Sequence, residues 1–407
     1  MAHGINIYSE IGKLNRVMLH RMGLELEALV PDNFERLLFD EIPYLKVAQY
    51  EHDCFANVLK ENGIKVHYFT DEVAKSIKNE NIRKEFVKEF IRDSDVHSNY
   101  IAETIEQYLL KLPLETMVDT IIAGIKKADL KINKIDSLGD FVNKDYPYYT
   151  DPMPNLYFMR DPGTFIGNTV NINCMKSKAR KRESLMFKYI SLYNKELVPE
   201  GTDINVFEGG NFIEGGDILV LSEEIIAVGI SQRTSAYAIE TLAEKLLNQN
   251  NTFKKILVLD IPKRRAFMHL DTVFTMVDHD KFTIHPEIEG SLNIYEVTLG
   301  KSGCSQFCSS AYSLEDALKN ELKLPAVQMI RCGGTDIVAA QREQWNDASN
   351  TFAIAPGVVI TYERNSITNE LLDKSNVKVI AIPSSELSRG RGGPRCMSMP
   401  IHRDHIN

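Results

Sequence analysis

A thiol stands behind dense conformational punctuation in "RGRGGPRCMSMP", residues 389–400, where five of twelve positions are Gly or Pro and Cys396 follows directly. A nucleophilic cysteine needs exposure, close backbone approach to its target and a lowered thiol pKa. Gly390, Gly392 and Gly393 permit the approach. Arg389, Arg391 and Arg395 supply positive charge expected to favour a thiolate. A buried structural cysteine near a loop fits the same composition. Cys54, Cys174, Cys304, Cys308 and Cys332 lack such surroundings. Cys304 and Cys308 are loosely spaced like metal ligands but have no partner pair, so no metal site is expected.

Four other stretches carry chemistry-bearing residues on separate segments. In "FMHLDTVFTMVDHDKFTIHP", His269 and Asp271 are two apart, which on a strand puts both on one face. That pair reads as an oriented acid/base, half a metal site or a satisfied core contact, and taken alone such a pair is most often the core contact. In "NFIEGGDILVL", Glu214 and Asp217 flank two glycines before a strand; Glu208, in the preceding "FEGG", leads into no strong strand. "DPMPNLYFMRDPGTF" places Arg160–Asp161–Pro162 at the end of what reads as a short strand. The basic run "KSKARKRES" reads as a helix start, or as one Arg aimed at an anionic group. Together they offer a thiol, a His, carboxylates and arginines. A guanidinium suits that mixture, being a planar cation satisfied by paired carboxylates. Its central carbon is a poor electrophile, so attack on it calls for a strong nucleophile such as thiolate.

The elements that must position these residues repeat. Residues 217–260 read as strand, turn, strand, amphipathic helix, strand, and residues 350–382 follow the same order. Arg233 and Arg364 each come just after the second strand of their copy. "GKLNRVMLH", "QYEHDCFANVLKENG" and "IKVHYF" give strand, helix and strand near the N-terminus. Recurrence of this unit points to ring-like or stacked α/β repetition. Residues 71 to about 140 break the pattern. Apolar residues at 82, 86, 87, 90 and 91, and at 114, 117, 118, 121, 122 and 125, keep helical spacing with no strand signal between them. An inserted helical bundle over 71–140 is expected, shielding the core or forming an oligomer contact, with 1–70 and 141–407 making one catalytic unit.

Across its 407 residues the chain is 43% hydrophobic and 25% charged with a net charge of -9, the profile of a soluble globular protein. The acidic balance argues against nucleic acid or an anionic membrane as partner. The first residues lack the pattern of a signal peptide, and no apolar run approaches the roughly 18 residues of a membrane span. Scattered cysteines without a framework spacing read as free thiols of a cytoplasmic protein. A homo-oligomer acting on a small molecule is expected.

"DPMPNLYFMRDP", "IEGGD", "MHLDT", "REQWND" and "RGRGGPRCMSMP", in this order, with "SEIGKL" and "ERLLFD" near the start, resemble the bacterial arginine deiminase family along most of the chain. The resemblance implies a five-bladed, pseudo-symmetric propeller of ββαβ-type α/β units, with an extra helical bundle after the first. It implies that Cys396 attacks the guanidinium carbon and that Asp161 and Asp271 hold the guanidinium nitrogens with Glu214 beside them. His269 would protonate the departing ammonia and then activate water. Arg180, Arg233 and Arg391 would bind the α-carboxylate of free L-arginine and Asn155 its α-amino group, with Leu38, Phe158 and Gly390 completing the wall. No metal and no organic cofactor is implied. Dimethylarginine hydrolases and amidinotransferases share that fold, and a non-catalytic arginine-binding protein would keep the same site. Met159 and Gly163 depart from the family pattern, standing where Thr and Phe are expected. Gln341 and Ala348 stand where glycines are usual.

Overall fold

The computed structural model describes residues 4–406 apart from 131, 133–136, 143–144, 250 and 291. Its repeating unit is clearest in "ILVLSEEIIAVGI". Two apolar runs flank a turn in which Ser222 Oγ accepts from the amides of Glu224 and Ile225, so Ile218–Val220 and Ile225–Ile230 pair antiparallel. Ser235 then caps the helix Ala236–Leu247 by accepting from the Ala238 amide at 3.2 Å. The chain returns as Lys255–Asp260, parallel to Ile225–Ile230.

The same pairing, antiparallel and then parallel across a helix, recurs. It links Gly163–Ile166, Thr169–Ile172 and Ile204–Val206; Phe274–Met276, Lys281–Ile284 and Gln328–Arg331; and Phe352–Ala355, Val358–Tyr362 and Lys378–Ile382. Near the N-terminus Leu14–Leu19 runs parallel to Lys65–Tyr68 across the helix Leu45–Glu61. Its antiparallel partner, Met399–Arg403, comes from the far end of the chain and follows the Cys396 loop directly. A hairpin, Asn293–Leu299 with Ser305–Ser309, widens one sheet to five strands. The fold is therefore mixed α/β with several small sheets.

Helices Phe69–Ser76, Glu80–Asp93, Asn99–Lys111 and Leu114–Ala123 fill the stretch that breaks the repeat. Phe86, Val87, Phe90, Met117, Val118 and Ile121 are buried in one cluster with side chains of the helix Lys181–Tyr193, and Phe86 meets Tyr189 edge-on at 5.0 Å. The expectation of no strand here needs correction. Ile125–Lys126 pairs with Tyr148–Thr150, a two-residue ladder too short to show a period of two. Gly163 also finds its reason: a Cβ there would overlap the Phe187 ring and approach the Asn171 carbonyl oxygen to 3.0 Å. The aromatic volume at this point comes from the helix, not from the strand.

Candidate active site

The Cys396 loop packs with its glycines against aromatic side chains. A Cβ at Gly390 would overlap Tyr157 Oη, and one at Gly392 would overlap the Phe158 ring. The thiol is pinned from both sides of its peptide. The Cys396 amide donates to Asn350 Oδ1 at 2.9 Å, and its carbonyl accepts from the Arg160 amide at 3.0 Å. Its Sγ lies 3.8 Å from Asp271 Oδ2. Arg395 is buried beside it, donating to Asp271 at 2.7 Å and through Nε and Nη2 to both Glu10 oxygens at 3.1 Å.

These contacts limit the expectation that the loop arginines favour a thiolate, because Arg395 does so but is outweighed. Burial pushes the Cys396 thiol well up, and Asp271, Asp161 and Asp347 push it further, with Arg395 opposing. Arg395 is matched by Glu10 and Asp271, Arg389 turns outward to Glu41 and Glu386, and Arg391 lies over Trp345. Arg395 and Arg389 are spent on other acids in space, and Arg391 on an indole face.

His269 and Asp271 do not share a strand face. His269 precedes the 3-10 turn Leu270–Thr272, and the strand begins only at Phe274. Asp217 builds this turn by accepting from the Leu270 amide at 2.8 Å, while Ser231 Oγ donates to it at 2.6 Å. Gly216 lets the imidazole approach the backbone closely, since a Cβ there would come within 2.7 Å of the ring. His269 Nε2 is 2.8 Å from Glu214 Oε2, and Nδ1 is 3.8 Å from Asp161 Oδ1. Burial opposes the charged ring, but Asp161, Glu214 and Asp217 outweigh it and raise His269 to about 9. Burial also opposes the Glu214 charge, yet Arg233 and His269 hold that carboxyl at about 2. Asp217 is pushed up to about 7 by burial. Among the described residues, Asp161, Glu214 and His269 form the one group whose donor atoms, within 4.8 Å of one another, have metal-holding spacing.

Arg160–Asp161 follows the 3-10 helix Pro154–Tyr157 and leads into the strand Gly163–Ile166, so it precedes a strand instead of ending one. Asp161 accepts from Arg180 Nη1 at 2.6 Å and from the Gly216 amide at 3.1 Å. Arg180 is the buried arginine of the basic run. It also donates to Glu183 and to the carbonyls of Asn155 and Phe158, so each of its three nitrogens is engaged. Asn155 donates to the Leu37 carbonyl at 2.7 Å.

One pocket gathers Leu38, Asn155, Phe158, Asp161, Arg180, Arg233, His269, Gly390, Arg391 and Cys396, joined by Met268 and Thr272. Its interior volume is about 30 Å³, against about 290 Å³ for the cavity just outside it. Glu214 and Asp271 stand behind this lining, both fully buried. Leu38 and Arg391 hold left-handed backbone, φ 64° and 65°, a conformation uncommon for residues with a side chain. Outside the pocket a cavity of about 290 Å³ shares Leu38, Arg233, Met268 and Arg391 with it and adds Asp40 and Arg265, which pair with each other. Glu10, Asn350 and Trp345 are site-building residues that the sequence reading left without a role. Each lies inside a stretch that carries the resemblance, or just beyond it: "SEIGKL" holds Glu10, "REQWND" holds Trp345, and Asn350 follows three residues after the latter.

The model of the family described as "Arginine deiminase" matches residues 35–403. The chain is 48% identical over 410 residues to the arginine deiminase of Bacillus cereus (strain B4264), covering all of both chains. It is 49% identical over 407 residues to that of Streptococcus agalactiae serotype V (strain ATCC BAA-611 / 2603 V/R), covering 99% of each. Among solved structures it is similar in fold to the N-terminal domain of ArgZ, an arginine dihydrolase from the ornithine-ammonia cycle in Cyanobacteria. The TM-score there is 0.54 at 14% identity, over 96% of this chain and 99% of that one. A citrulline complex of a dimethylarginine dimethylaminohydrolase mutant from Pseudomonas aeruginosa gives a TM-score of 0.53 at 13% identity, over 95% and 99%. With a family model spanning the pocket and near-half identity over full length, the chain belongs to the arginine deiminase family.

Proposed function

We propose that the chain hydrolyses free L-arginine to L-citrulline and ammonia through a covalent thiouronium on Cys396. The observation that carries this is the convergence, on one buried pocket, of a thiol, an imidazole bonded to a carboxylate, and two further carboxylates, with Arg233 and Arg391 at its mouth.

The chemistry follows from the charges. Asp161 and Asp271 bind the guanidinium nitrogens with Glu214 beside them, placing the central carbon against the sulfur. The bound cation offsets the acids that keep the thiol protonated, so Cys396 ionises with substrate in place. Thiolate attack forms the S–C bond. His269, charged at neutral pH, gives its proton to the departing nitrogen as the C–N bond breaks and ammonia leaves. The neutral imidazole then takes a proton from water, whose oxygen adds to the same carbon. Breaking the S–C bond returns the thiolate and leaves the ureido group of citrulline. Arg233 and Arg391 receive the α-carboxylate, together with Arg180, although the nitrogens of Arg180 already serve Asp161 and Glu183. Asn155 faces the α-amino group, and Leu38, Phe158 and the Gly390 backbone close the wall.

The reading extends to the architecture. Five units of one pairing order fit a pseudo-symmetric propeller around this pocket, and residues 71–140 fit an inserted helical bundle. Exposed Ile337 and Val338 on one helix suit a homo-oligomer. Free cysteines suit the cytoplasm. Among the described residues no helix is long and apolar enough to cross a membrane.

The test is to quench wild-type and His269→Ala protein in acid soon after mixing with arginine. Peptide mass spectrometry is expected to find Cys396 heavier by arginine minus ammonia, and nothing on Cys396→Ser. Citrulline formed without an adduct at single-turnover times, or an adduct on another cysteine, overturns the covalent route.

A further inference from the structure

Trp345, the single tryptophan of the chain, ends the helix Ile337–Trp345 and is half exposed. The Arg391 guanidinium carbon lies 3.4 Å from the centre of its ring. Arg391 Nε and Nη1 are buried and have no hydrogen-bond partner among the described residues. Contact with the indole face, not hydrogen bonding to the described residues, therefore holds this guanidinium. Asp347, two residues on and itself buried, contributes charge beside it, as Asp40 and Arg265 do from the outer side.

We propose that Trp345 is a positioning residue for carboxylate recognition, holding Arg391 by its face so that its N–H edge stays free for the α-carboxylate of the substrate. The proposal rests on reading Arg391 as a carboxylate ligand. The contrast with Arg180 shows why a stack is needed. An arginine fixed by ion pairs uses its donors on them, whereas one fixed over an indole keeps them, because the attraction acts through the π-face. A bidentate bond to an incoming carboxylate needs that free edge. The same segment supports the nucleophile from its other end. Asn350 closes the turn onto the Asp347 carbonyl at 2.9 Å and accepts from the Cys396 amide at 2.9 Å. Residues 345–350 thus carry both working ends of the loop 391–396, and the "REQWND" motif acquires a role distinct from packing.

The experiment compares KM for arginine with the inhibition constant of agmatine, the same guanidinium without a carboxylate, in three variants. Trp345→Leu is expected to raise the arginine KM about fivefold, the factor equivalent to roughly 1 kcal/mol of cation–π attraction. The agmatine constant and kcat should stay within about twofold, and Trp345→Phe should recover most of the loss through its smaller π-face. Arg391→Ala is expected to weaken arginine more strongly, again sparing agmatine. If Trp345→Leu weakens both ligands together, or neither, while Arg391→Ala still singles out arginine, Trp345 is not the positioning residue and Arg391 keeps its assignment. If Arg391→Ala weakens both ligands alike, the carboxylate reading fails and this proposal falls with it. A poorly folded Leu variant leaves the Phe variant to decide. In a cooperatively melting Phe variant, a small rise in arginine KM with the agmatine constant unchanged supports the proposal, and a rise in both, or in neither, overturns it.

Discussion

Arg395 donates at 2.7 Å to Asp271 Oδ2, the oxygen that also lies 3.8 Å from the Cys396 sulfur. The residue next to the nucleophile thus fixes the carboxylate that faces it, while its other nitrogens hold both oxygens of Glu10. Arg395→Met strands two buried carboxylates and is expected to lower stability by about 3–5 kcal/mol in urea titrations. Burial opposes the Glu10 charge but Arg395 prevails, holding that carboxyl at about 2 against an ordinary 4.5. Its contribution is complete above pH 4.5 and is lost as pH falls toward 2. The gap between wild type and Arg395→Met should therefore narrow in acid; a gap that widens there contradicts the pairing.

The raised Cys396 thiol makes a prediction about reagents. Alkylation of the free enzyme by iodoacetamide, which is neutral, is expected to keep accelerating past pH 9, because only the thiolate reacts. Arginine turnover should persist well below that pH, since the bound cation ionises the sulfur. An alkylation rate that levels off by pH 8 would mean that the surrounding acids do not control this thiol.

His269 supplies a stability signature of the opposite sign. Its folded pKa is raised from 6.5 to about 9, so the charged ring contributes fully below pH 6.5 and the contribution fades as pH rises through 9. The stability difference between wild type and His269→Gln should shrink over that window in chemical denaturation. No change across the window would show that Asp161, Glu214 and Asp217 do not hold a charged imidazole.

Gly163→Ala tests the aromatic exchange between strand and helix. The added methyl must displace the buried Phe187 ring, a cost of about 1–3 kcal/mol for overpacking. Phe187→Leu in the same chain should return part of it. Additive losses in the double variant would place the strain elsewhere.

What the sequence displayed, and what it concealed, follows the range of each interaction. Strand–turn–strand–helix–strand was legible at 217–260 because apolar runs, a Ser turn and a Ser cap are all local. Cys396 and Glu214 stood out because glycines lie beside them in the chain. The acidity of Cys396 is hidden for the converse reason: it is set by burial, and then by Asp271 and Asp161 far away in sequence. The spacing of two between His269 and Asp271 fits a strand, so the sequence alone points to one. The 3-10 turn exists because Asp217, 53 residues earlier, captures the Leu270 amide. The Arg395–Glu10 pair, 385 residues apart, leaves no periodic trace at all.

The closed pocket bears on time as well as on affinity. An interior of about 30 Å³ is far below the roughly 300 Å³ of an ordinary ligand pocket, so arginine needs more room than this arrangement gives. Some of the wall formed by Leu38, Arg233, Met268 and Arg391 must first swing aside, and that step is unimolecular. Capture of substrate then has a ceiling that concentration cannot lift: in stopped flow the observed binding rate rises with arginine and flattens at the opening rate. Leu38 and Arg391, both in left-handed backbone, stand in the wall that this pocket shares with the outer cavity. A binding rate that keeps rising with arginine would show that the wall already stands open to substrate.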